Sequence, residues 1–144
     1  MLKLFYRFSA IVLLSIGLSA ASGEANKVFQ NSVFTLNAGQ RVTIEGERLV
    51  IKFNTVYEDS RCPVNAACVW AGNGQVEFEV IDSDGQNKTV ILNTEDEPKT
   101  VVLKNHLLKL IALNPPRTDG LAILPKDYKV TVLVEKKSSD KNNR

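Results

Sequence analysis

Val76, Phe78 and Val80 stand at every second position, interleaved with Gln75, Glu77 and Glu79. Successive side chains of a strand point to opposite faces, so this run sends one face to a core and the other to water. A helix would scatter the same three apolar residues around its circumference. The pattern recurs at Val42 and Ile44 among Arg41, Thr43 and Glu45, and at Leu49, Ile51 and Phe53 among Lys52 and Asn54. Glu45-Gly46-Glu47-Arg48 joins those two runs as a hairpin, and Asp82-Ser83-Asp84-Gly85 turns the chain after Val80. Residues 89–92 and 100–103 read as strands around a Glu95-Asp96-Glu97-Pro98 loop, and Tyr128, Val130, Val132 and Val134 form a last strand. Residues 106–113 admit two readings, two helical turns or a buried strand, and Asn114-Pro115-Pro116 ends either one. Their neighbours are strands, which favours a strand. Many short strands broken by Gly, Pro, Asn and Asp predict an all-β chain with a single antiparallel β-sandwich or barrel-like domain.

The first 21 residues have a different character. Lys3 and Arg7 precede an apolar run from Phe8 to Leu18, and small residues follow at Ser19, Ala20 and Ala21. A transmembrane helix needs about 20 apolar residues, and this run is shorter. A cleaved signal peptide over residues 1–21 is the expectation, with cuts after Ala20, Gly23 or Ala25 as competitors, and no transmembrane helix remains after cleavage. The β-rich domain then covers residues 22–135, and residues 136–144, without an apolar anchor, read as a disordered tail.

Removing Lys3 and Arg7 with the leader brings the net charge of +2 to neutrality. Acids and bases interleave along the remainder, with no basic stripe, so a nucleic-acid partner is not expected. The chain is long enough to bury a core in one domain.

One segment is distinctive. Glu58, Asp59, Ser60, Arg61, Cys62 and Pro63 lead to Cys68, Val69, Trp70, Ala71 and Gly72, and this stretch holds both cysteines and the only tryptophan. Two cysteines in an exported chain most simply pair, here as a local clip. Closing so short a loop contributes roughly 2 to 2.5 kcal/mol on the chain-entropy model. The spacing is not the Cys-x-x-Cys of redox pairs. Zinc needs about four ligands, and the cysteines with His106 fall short; no metal or other cofactor is expected. Trp70 is expected to pack over the disulfide, with a ligand groove as the alternative. Arg61 pairs with Asp59 or Glu58 and donates to loop carbonyls on one account; on the other, Asp59, Arg61 and Trp70 together form a small binding site.

Asp59-Ser60-Arg61-Cys62-Pro63 followed by Cys68-Val69-Trp70-Ala71-Gly72 resembles a motif of small, uncharacterised bacterial secreted proteins and lipoproteins. The resemblance extends more weakly to the hairpin at residues 39–56 and the strand and loop at residues 110–116. It implies a bacterial envelope address, periplasmic or secreted, and a β-sheet domain, but no catalytic residue. The chain departs from many such proteins in lacking a cysteine just after the leader for lipid attachment.

No residue pattern assembles an active site. Ser60, His106 and Asp119 have nothing to position them together, and no Gly-x-Ser-x-Gly elbow is present. Glu77 and Glu79 share the outward face of a strand, and the glycine of Asp82-Ser83-Asp84-Gly85 falls too early for a calcium loop. The sequence therefore predicts a non-catalytic binding or interaction domain that meets a protein or other envelope component. The alternative is an envelope hydrolase or redox enzyme whose site is hidden from sequence.

Overall fold

The computed structural model describes residues 26–137; the expected leader and most of the expected tail lie outside the described residues. Among the described residues there are nine strands: β1 Asn26–Val28, β2 Ser32–Asn37, β3 Arg41–Ile44, β4 Leu49–Asp59, β5 Gly74–Ile81, β6 Asn87–Asn93, β7 Thr100–Leu103, β8 His106–Asn114 and β9 Lys129–Lys136. They build two sheets, one ordered β1-β3-β4-β5-β6 and the other β2-β9-β8-β7. Every pairing is antiparallel except that of β1 with β3. The expected all-β sandwich with one disulfide is what forms, as two open sheets and not a closed barrel. β9 continues through Lys136, slightly past the boundary set for the tail.

The inner faces follow from alternation. Ile51, Phe53, Val76, Phe78, Val80 and Leu92 of the first sheet meet Leu36, Leu108, Leu110, Val130, Val132 and Val134 of the second, all buried. Phe53 and Phe78 are cross-strand partners with ring centroids 6.0 Å apart, a tilted aromatic pair at the centre of the first sheet. Glu77 and Glu79 face outward, where Glu77 accepts from Asn54 Nδ2 at 3.0 Å and Glu79 pairs with Lys52 at 3.5 Å.

Three irregularities interrupt the alternation. In β4 the register against β5 shifts between Phe53 and Thr55 and again between Val56 and Glu58. Each shift inserts an unpaired residue, as a β-bulge does. The second leaves Tyr57 exposed, while Val56 packs against the core. In β8 a shift between Leu110 and Ala112 turns Ile111 outward and brings Leu113 into the core. That bulge is why residues 106–113 resembled a helix in sequence: it breaks the period of two.

The β4–β5, β6–β7 and β8–β9 connections meet at one end of the sandwich, stitched by bonds such as Thr94 N to Gly74 O at 3.0 Å and Val64 N to Arg117 O at 2.9 Å. At the other end His106 is buried as the first residue of β8.

Phe78→Ala removes a fully buried ring and is expected to cost about 3 to 5 kcal/mol by urea titration. Glu77→Ala, on the outer face of the same strand, is expected to cost less than about 1 kcal/mol. Similar losses for the two variants would contradict the assignment of faces.

Candidate functional site

β4 ends in Asp59, whose carboxylate is inside the sandwich, its side chain only 7% exposed. Arg61 folds back on it: Nε donates to Asp59 Oδ1 at 2.8 Å and Nη2 to Oδ2 at 2.7 Å. The remaining reach of the guanidinium goes to the other sheet, Nη1 donating to the Leu113 carbonyl at 2.5 Å and Nη2 to the Pro115 carbonyl at 2.9 Å. From the residue just before β9 the Tyr128 hydroxyl donates to Asp59 Oδ2 at 3.0 Å, and Arg117 Nη1 donates to the Arg61 carbonyl at 2.7 Å. The planar fork of arginine suits this work, because it serves a carboxylate and two carbonyls in one plane. Burial alone would raise the Asp59 carboxyl, but the hydrogen bonds and charge of Arg61, with the Tyr128 hydroxyl, outweigh it and hold the group below its ordinary value. Tyr128 is pushed up to about 12, first by burial and then by the Asp59 carboxylate it faces.

Two of the three candidate binding residues, Asp59 and Arg61, are thus engaged inside the protein, as the first of the two sequence accounts had it. Trp70 has the opposite fate. It was expected over the disulfide, yet it is 77% exposed, and its neighbour Val69 is 94% exposed. The start of β5 is closely packed: a Cβ on Gly74 would stand 2.7 Å from Leu113 Cδ2. The loop holds Trp70 outward. Cys62 is bonded to Cys68, with Cα atoms 6.0 Å apart, and its N–H donates to the Ala71 carbonyl at 2.6 Å. Val69 and Trp70 lie between these two attachments, so their backbone forms a short bracketed arch. Gly72 closes it with φ +70°, against the Ser60 carbonyl where a Cβ would overlap.

Trp70 forms one wall of an open concavity of about 410 Å³, shared with Ser60, Ala71, Gly72, Asn73, Glu95 and Asp96. Asn73 is its floor. Buried, it donates from Nδ2 to Asn93 Oδ1 at 2.8 Å, and its Oδ1 accepts from Glu95 N at 3.2 Å and Asp96 N at 3.5 Å. One amide side chain therefore fixes the acidic β6–β7 loop against the tryptophan loop. Sequence reasoning treated residues 95–98 only as a turn and did not single out Asn73, because their approach to Trp70 depends on which strands become neighbours.

Other residues weighed in the sequence are dispersed. Ser60 Oγ donates to the Asn73 carbonyl at 3.0 Å, Asp119 N donates to Asn65 Oδ1 at 2.7 Å, and His106 lies at the far end beside Glu47. Ser60 and His106 are not brought together. Among the described residues no group of three or more His, Cys, Asp or Glu is placed to hold a metal ion. No helix among them is long and apolar enough to cross a membrane.

Arg61→Ala leaves a buried carboxylate and two carbonyls without their partner and is expected to cost about 3 kcal/mol or more. Trp70→Ala is expected to move stability by less than about 0.5 kcal/mol, since its side chain is in solvent. Urea unfolding of the two variants checks both.

A pH series provides a separate check. A raised tyrosine value means that the unfolded chain releases its proton near pH 10 and the folded chain only near 12, so stability falls as pH rises across that window. Tyr128→Phe is expected to remove this part of the alkaline loss. On the acid side the lowered Asp59 value contributes stability above the ordinary carboxylate range, lost as pH falls through the folded value.

No protein-family model, curated protein or solved structure matches the chain.

Proposed function

We propose that this chain is an exported, periplasmic or secreted, non-catalytic binding domain that meets a protein component of the cell envelope through the arch carrying Val69 and Trp70. The observation that carries the reading is a large aromatic side chain held in solvent by a disulfide, a glycine of special conformation and a backbone bond to Cys62. A tryptophan that contributes little to the core yet sits on a bracketed backbone suits recognition, because less backbone freedom is left to lose on binding. Val64, 69% exposed within the disulfide ring, is a further exposed apolar side chain of the same loop. Export is supported by the signal-like first 21 residues and by a disulfide that needs an oxidising compartment.

The test is quantitative capture from envelope extract with the mature protein as bait, alongside Trp70→Ala of equal stability. A specific protein enriched by the wild type at least about tenfold over the variant, and binding the purified bait directly, is the expected result. Equal recovery by both baits would remove the arch from function.

A further inference from the structure

We infer that the concavity beside Trp70 seats an arginine or lysine side chain of the partner protein, its cation against the indole and within reach of Glu95 and Asp96. The inference rests on the binding-domain reading and adds the chemistry of the partner. The lining of the concavity also includes two acidic residues from a different loop, Glu95 and Asp96. Only one has a counter-ion among the described residues, Lys99 with Glu95 at 3.8 Å across a solvated gap. An aromatic face attracts a cation through its negative π surface, and adjacent carboxylates add charge complementarity. The backbone of both parts is positioned before any ligand arrives, that of Trp70 by the arch and that of the acidic loop by the buried Asn73.

The same charges discriminate among occupants. Phosphates of nucleic acids and anionic lipid headgroups are repelled by Glu95 and Asp96. A small free amine would cover the concavity and leave Val69 and Val64 in water. A protein carrying a basic side chain beside apolar ones satisfies both surfaces.

Trp70 is the chain's only tryptophan, so its fluorescence reports the seat directly. The probes are an acetylated, amidated Ala-Arg-Ala-Arg-Ala peptide and the same peptide with citrulline, uncharged and nearly the same shape, in place of arginine. The arginine peptide is expected to change Trp70 emission saturably, with half-saturation about tenfold below that of the citrulline peptide, and to weaken with salt. Glu95→Gln with Asp96→Asn is expected to bring the two peptides within about twofold of each other while leaving the urea midpoint in place. Equal response to both peptides, no response to either, or an arginine preference that survives the double variant overturns the inference. Capture of one partner by wild type and by the Glu95→Gln, Asp96→Asn variant alike, but not by Trp70→Ala, overturns the cationic seat and leaves the binding-domain reading standing. An arginine preference without Trp70-dependent capture supports the seat and removes that reading alone.

Discussion

Arg61 and Asp59 join the two sheets where no ladder of backbone bonds can do so. β4 belongs to one sheet and β8 to the other, and across this end the sandwich has only side chains and loops to hold it. Four donated bonds from one guanidinium reach a carboxylate on one sheet and two carbonyls at the end of the other. Tyr128, just before the last strand, completes the carboxylate's hydrogen bonds. A buried ion pair gives little net stability against an apolar alternative, but it demands one geometry and penalises every other. Here that geometry sets where the β4–β5 loop leaves the sheet, and so where the arch with Trp70 stands.

The opposite end is closed by different means. Lys136 Nζ donates to Glu47 Oε1 at 2.7 Å, and His106 Nε2 lies 3.9 Å from the same oxygen with no hydrogen-bond partner of its own. The hydrogen bond and charge of Lys136 hold the Glu47 carboxyl below its usual value, against the opposing effect of burial. These contacts link the β3–β4 turn to the last two strands, but they include no disulfide and no bidentate arginine. The buried Asp82, which accepts from Asp84 N and Gln86 N, and the pair of Lys104 with Asp84 add to this end, whereas the disulfide and the bidentate arginine stand at the end that carries the exposed aromatic.

How far sequence could see follows from the range of each interaction. Alternation is local, so the inner faces at Phe53, Phe78 and Val132 were legible, and so was the Cys62–Cys68 clip. Bulges are local too, but they erase the signal they would need. Ile111 and Tyr57 look like core residues until the partner strand shows that each is an insertion. At the site, the pairing of Arg61 with Asp59 was anticipated from two neighbours in the chain. Tyr128, Asn73 and the acidic loop were not, since they join through contacts between strands distant in sequence. Trp70 was misplaced for a general reason: a lone tryptophan beside a disulfide normally fills a core, and its outward place follows from the path of the loop between Cys68 and Ala71, which local sequence does not display.

The bracketing of Val69 and Trp70 between two attachments to Cys62 separates two kinds of selection. Substitutions on the arch change what it can touch, while the bonds that hold the arch are made by backbone atoms and by a disulfide, neither of which depends on those side chains. Most surfaces that bind also help to fold, so a change in specificity usually risks the scaffold. In this chain the two tasks are assigned to different atoms, which leaves the exposed pair free to diverge between descendants while the sandwich beneath it stays the same.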